Sequence, residues 1–87
     1  MRILMNIALL GFGTVGKGFY DLTVGREDVK VTAVLSRRPR EELTCLVSDD
    51  FHEILASDVD IVVEVMGGLH PAYEYVCEAL RAGKHVV

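Results

Sequence analysis

Cysteine is scarce: Cys45 and Cys77 are the only two in 87 residues. Two thiols build no disulfide framework, and their spacing is not that of metal ligands. They read as ordinary small, half-buried thiols. Histidine offers no metal site either, because His52, His70 and His85 are scattered, with no i, i+4 pair and no cysteine partner. Basic charge is in deficit. The formal net charge is -4, which gives no attraction to nucleic acid or to an anionic membrane. Aromatic residues make up 7% of the chain. Tyr73, Tyr75 and Phe19 read as core or surface aromatics rather than a base-stacking platform. The apolar start Ile3 to Leu10 is too short for a membrane span and leads straight into glycines, not into a cleavage site. A cytoplasmic, reducing compartment is the default expectation. No serine or cysteine carries a nucleophile motif around it.

What is present is the balance of a soluble globular chain, 51% hydrophobic and 25% charged. The length allows one small domain, residues 1–87, of marginal independent stability. Two periods alternate along it. Ile3 to Leu10 is a nearly continuous apolar run, which suits a strand buried on both faces of a parallel sheet. Past a cluster of glycines, Val15, Phe19 and Leu22 recur at helical spacing, with Gly25 as the stop. Lys30 to Ser36 is rich in β-branched residues and predicts a second strand. Arg37 to Ser48 opens as a loop at Arg37-Arg38-Pro39-Arg40 and offers a turn or two of helix at Glu41 to Val47. Asp50 is placed to cap a helix, with Glu53 three residues on and Phe51, Ile54 and Leu55 as its apolar face. Val59 to Met66 predicts a third strand and Gly67 to His70 a loop. Pro71 opens a helix whose stripe runs through Ala72, Tyr75, Val76, Ala79, Leu80 and Gly83. His85 to Val87 begins a fourth strand. Strands alternating with helices imply an α/β fold, a Rossmann-type parallel sheet with right-handed crossovers. The expected order is 3-2-1-4, part of a doubly wound fold. There is no internal repeat, low-complexity tract or linker.

The glycines are spaced as chemistry requires. Gly11-Phe12-Gly13-Thr14-Val15-Gly16 is a G-x-G-x-x-G that follows a predicted strand and opens a helix. Gly11 permits the tight turn, Gly13 lets a pyrophosphate approach the backbone, and Gly16 lets the helix lie close to the sheet. Free N–H groups and the positive end of the helix dipole then face the phosphates. A turn that merely packs helix on strand is the plainer alternative. The segment is not a P-loop: Gly18 follows Lys17, so the Mg²⁺-binding hydroxyl is missing.

An NAD-selective site would carry an acid about 20 residues past this turn, on the ribose hydroxyls. Ser36 stands there, followed by Arg37 and Arg38. An acid repels a 2′-phosphate, whereas arginine binds it through charge-assisted hydrogen bonds. The residues favour NADP, or at least admit it beside NAD; otherwise the arginines form a solvated loop. Glu64 lies within an apolar strand and needs a partner. It either shapes the pocket or is satisfied by backbone N–H groups.

Four segments together carry a resemblance. They are Gly11 to Gly18, Val63-Glu64-Val65-Met66-Gly67-Gly68, His70-Pro71-Ala72, and Ala79 to Val87. In register they cover nearly the whole chain, and they are similar to the N-terminal domain of homoserine dehydrogenase. The resemblance implies an oxidoreductase that interconverts aspartate semialdehyde and homoserine with NAD(P)H, on the route to threonine, methionine and isoleucine. It implies that Phe12, Gly13, Thr14 and Val15 line the pyrophosphate, and that Met66, Gly67 and Gly68 approach the nicotinamide. In that family a Thr-Ala-Asn-Lys stretch follows the fourth strand and brings an active-site lysine; further substrate-binding residues come later. The expectation is therefore a truncated cofactor-binding part with no catalytic residue of its own, its parent a homo-oligomer acting on a small molecule. Sugar oxidoreductases share the Ala-Leu-x-Ala-Gly-Lys-His-Val segment but carry a Thr-Pro-Asn-type loop where this chain has Met66-Gly67-Gly68. A non-enzymatic nucleotide-sensing module would keep the glycine turn and lack a catalytic domain.

Overall fold

The computed structural model describes residues 4–66 and 72–87. The strands are parallel: β1 (Met5–Leu10), β2 (Val29–Leu35), β3 (Leu46–Ser48), β4 (Ile61–Glu64) and β5 (His85–Val86). Three helices join them: α1 (Thr14–Thr23), α2 (Phe51–Ala56) and α3 (Ala72–Arg81). The sheet order is β3-β2-β1-β4-β5, all neighbours parallel. Numbered as observed, the strands hold the 3-2-1-4 order with a fifth beyond it, but the strand predicted as third, Val59 to Met66, is β4 and pairs with β1, not with β2.

The third strand in chain order is not the one the apolar runs indicated. It is Leu46–Ser48, inside the stretch read as a turn or two of helix, and it pairs with Ala33 to Leu35. Three residues are too few to show a period, so alternation could not announce this strand. Leu43, 8% exposed, anchors the segment before it to the core. His70 and Pro71 lie outside the described residues.

Two apolar layers sandwich the sheet. On one side Ala8, Leu10, Ala33 and Leu35 meet Phe51 and Ile54 of α2 and Ala79 of α3. Alanines on the sheet leave room for the helices to sit close. The Phe51 ring stacks on Tyr75 at 4.2 Å, joining α2 to α3. Asp50 caps α2 as its position predicts, its carboxylate accepting from the His52 N–H at 2.9 Å. On the other side Ile7, Leu9, Val31, Val34 and Val63 pack with Phe12 and Leu43, and with Phe19 and Tyr20 of α1.

Helix α1 is rotated from the face its apolar residues suggested. Val15 is 67% and Leu22 78% exposed, whereas Gly16 and Thr23 are buried. Gly16 decides the rotation, because only a residue without a side chain fits where α1 meets the sheet. Polar Asn6 in β1 also has a structural reason: its amide donates to the Asp58 carbonyl, and its backbone N–H to the Asp60 carboxylate. These bonds tie the starts of β1 and β4. Among the described residues no helix is long and apolar enough to cross a membrane.

Candidate dinucleotide-binding site

Between β1 and β4 the chain reverses direction across the sheet, from the β2–β3 side to the β5 side. In open α/β sheets ligands bind at such a switch, beyond the carboxyl ends of the strands. The glycine turn leaves β1 at this place.

Each glycine of the turn has a different spatial reason. Gly11 has φ +106° and is pinned by its N–H to the Leu35 carbonyl at 3.0 Å. A Cβ there would also stand 3.2 Å from the Met66 Cα, so the turn and the end of β4 touch backbone to backbone. At Gly16 a Cβ would meet the Gly11 carbonyl oxygen at 2.6 Å. At Gly13 a Cβ would meet nothing within 4 Å among the described residues. The fold therefore needs glycine at 11 and 16, and leaves open space beside Gly13.

That open space faces the start of α1. Gly13 is its N-cap residue and supplies no side-chain cap, and the first turn holds no acid. The Lys17 N–H closes onto the Gly13 carbonyl at 2.9 Å. By helix geometry the N–H groups ahead of it have no intrahelical acceptor. Thr14 and Val15 are exposed there. This is an uncapped, positive helix end beside a backbone that a phosphate can approach.

Gly11, Phe12 and Gly13 also border a cavity of about 320 Å³. Arg37, Arg38 and Arg40 line its far rim, with Asp49 at the end of β3. Met66 closes the side next to β4. Of the residues singled out in the sequence, Gly11, Phe12, Gly13, Arg37, Arg38 and Met66 border this one cavity. Gly67 and Gly68 lie outside the described residues. Thr14, Val15 and Gly16 belong to the helix start rather than to the cavity wall. Glu64, at the end of β4, accepts from the Met66 N–H at 2.6 Å, so its carboxylate holds the strand end in shape.

Sequence reasoning missed Arg40 and Asp49. Arg40 sat in a run of arginines that no spacing distinguishes, and Asp49 was hidden beside the capping residue Asp50. A larger cavity, about 460 Å³, opens between the end of α1 and the start of β2. It lies at the opposite strand ends and contains none of the glycine turn.

A parallel sheet with its glycine turn at the switch point, an uncapped helix and a basic rim define a dinucleotide-binding domain of the doubly wound class. The family model described as "Homoserine dehydrogenase, NAD binding domain" matches residues 11–87, and the chain belongs to that family. Nicotinamide dinucleotide is the cofactor of these domains. Homoserine dehydrogenase of Corynebacterium glutamicum is 42% identical over 97 aligned residues, covering 95% of this chain and 22% of the relative. That of Bacillus subtilis is 34% identical, covering 95% and 23%. The crystal structure of S. aureus homoserine dehydrogenase at pH 7.0 superimposes with a TM-score of 0.86 at 35% identity, covering 99% of this chain and 26% of that one. Apo scyllo-inositol dehydrogenase from Lactobacillus casei reaches 0.81 at 28% identity. The chain spans less than a quarter of the length of these curated relatives.

Proposed function

We propose that this chain is the cofactor-binding part of an enzyme that interconverts aspartate semialdehyde and homoserine, and that it holds NADP or NAD along the Gly11–Gly16 turn. The pyrophosphate lies over Gly13 and the N–H groups of Thr14, Val15 and Gly16, with the Gly11 and Phe12 backbone beside it. Arg37 and Arg38 face the adenosine ribose, and Met66 faces the nicotinamide. The dinucleotide, when bound, supplies the hydride. The chain's own residues bind and orient it, and the phosphate charge is met by N–H groups already fixed in place.

One observation carries this reading: the open space at Gly13, between two glycines that the packing itself demands. A turn serving only to join helix and strand gains from glycine at 13 no more than the modest preference of an N-cap. Gly13→Ala places a methyl in that space and removes nothing from the core. Calorimetric titration with NADPH and NADH is expected to show binding by the parent and none by the variant. Equal affinity in both proteins would refute the reading.

We expect that no described residue of this chain moves the substrate proton. Glu64 is engaged by the Met66 N–H. Hydride transfer needs a substrate held against the ring and such a group. The chain by itself is expected to leave NADPH unoxidised with aspartate semialdehyde, and measurable turnover would overturn that expectation. In the whole enzyme we expect further residues to hold the substrate and a second copy to complete a homo-oligomer.

A further inference from the structure

The glycine turn holds one of the arginines itself. Phe12, the second residue of the turn, is 6% exposed, with its ring edge against Tyr20 at 5.9 Å. The Arg40 guanidinium lies over the same ring, 5.4 Å from its centre. Arg40 Nε also reaches the Ser36 hydroxyl at 3.4 Å, a long and weak contact. That hydroxyl is fixed in turn, donating to the Arg38 carbonyl at 2.8 Å and accepting from the Arg38 N–H at 3.2 Å. Ser36 occupies the place where an acid would hold ribose hydroxyls. Here it steadies a cation instead.

Arg37 and Arg38 differ. Both are exposed, and among the described residues no hydrogen bond or ion pair holds either guanidinium. Arg40 is half-buried. Its Nε faces Ser36 and its Cζ lies over the Phe12 ring, which leaves the four N–H groups of the two terminal nitrogens. Those donors form the fork that grips two oxygens of a phosphate. An arginine already ordered by stacking loses less freedom on binding than a free one.

We propose that Arg40, positioned by Phe12 and Ser36, is the residue that selects a cofactor bearing a phosphate on its adenosine ribose, and that Arg37 and Arg38 add only general attraction. This rests on the reading of the glycine turn as a dinucleotide site. It ties the residue that selects the cofactor to the residue that turns the chain at the pyrophosphate.

The test is titration of the parent, Arg40→Gln, Arg40→Lys, Arg37→Gln and Phe12→Leu with NADPH and NADH. Adenosine 2′,5′-bisphosphate and adenosine 5′-monophosphate serve as probes of the adenosine end alone. Arg40→Gln is expected to lower the NADPH-to-NADH affinity ratio about tenfold or more, the size of a lost charge-assisted bond. NADH binding should stay near the parent's. Arg40→Lys keeps the charge without the fork and should restore only part of the ratio. Phe12→Leu keeps an apolar side chain but removes the aromatic face, and should lower the ratio in the same direction. The two adenosine probes should repeat the pattern. The proposal is overturned if Arg37→Gln lowers the ratio while Arg40→Gln leaves it unchanged, or if Arg40→Gln weakens both cofactors equally. Failure of the parent to bind either cofactor overturns the dinucleotide reading, and this inference with it.

Discussion

Gly16 and Gly18 stand two residues apart in α1, and the same substitution should move stability in opposite directions. Alanine in a helix gains about 0.8–1 kcal/mol over glycine. At Gly18 nothing among the described residues lies within 4 Å of the new Cβ, so that gain should appear undiminished. At Gly16 the new Cβ would stand 2.6 Å from the Gly11 carbonyl oxygen and 3.3 Å from the Val65 side chain. Ordinary contact starts near 3.4 Å, so something must move by most of an ångström. Gly11 has little freedom to yield. Its N–H is bound to Leu35, and its other side abuts the Met66 backbone. Forcing extra volume into such a place costs about 1–3 kcal/mol. With the backbone itself in the way, the upper part of that range applies. After the helix gain is subtracted, Gly16→Ala should lose about 2 kcal/mol. For a domain of this size, 1 kcal/mol moves the melting midpoint by roughly 4–8 °C. Thermal unfolding followed by circular dichroism should therefore place Gly16→Ala about 8–16 °C below the parent and Gly18→Ala about 3–8 °C above it. A Gly16→Ala midpoint at or above the parent's would show that α1 does not rest on Gly11, and the account of the turn would fail.

Gly13→Ala, which abolishes dinucleotide binding in the reading above, should keep the parent's melting point within the shift of about 1 kcal/mol that a poorer N-cap residue brings; a loss as large as that of Gly16→Ala would mean that Gly13 is structural. Cys45 is the chemical prediction. Burial pushes its thiol above the ordinary range, with its own backbone hydrogen bond and Lys30 acting against this more weakly. A raised folded-state pKa adds stability that is whole below the unfolded thiol's pKa and fades as pH rises through the folded value. Iodoacetamide at about pH 8.5 should accordingly alkylate Cys45 more slowly in the folded protein than in denaturant. Equal rates, located by peptide mapping, would show an open thiol.

The parts of the fold that sequence revealed are those whose cause is local. β1 and β4 are apolar because both faces are covered, and the glycine turn is legible because its spacing is fixed by contacts to β1 and β4. Asp50 announced α2 because a cap acts within three residues. The facing of α1 was not local. It depends on which residue touches Gly11 and Val65 across the sheet, and the exposed Val15 and Leu22 gave the wrong stripe. β3 was invisible because its three residues are held by pairing with β2 and show no period of their own. Arg40 was invisible because its distinction from Arg37 is a ring supplied by Phe12, far away in the chain. β2 does not alternate regularly between the two faces of the sheet. Its pairing with β1 slips between Ile7 and Ala8: Ile7 faces Val31, while Ala8 faces Ala33. Thr32 is the extra residue, a bulge in a parallel pair, where bulges are rare. Val31 and Val34 consequently share one face although an odd number of positions separates them. The cost falls on Thr32, whose hydroxyl oxygen is buried with no hydrogen-bond partner among the described residues. A buried unpaired polar group costs about 1–3 kcal/mol, and an apolar group of the same shape avoids that cost. Thr32→Val keeps the branched shape and the bulge. It should raise stability by about 1 kcal/mol in urea unfolding, with an unchanged dependence on urea concentration. A loss of stability would mean that the hydroxyl has a partner, such as an ordered water, and that the bulge does not carry this penalty.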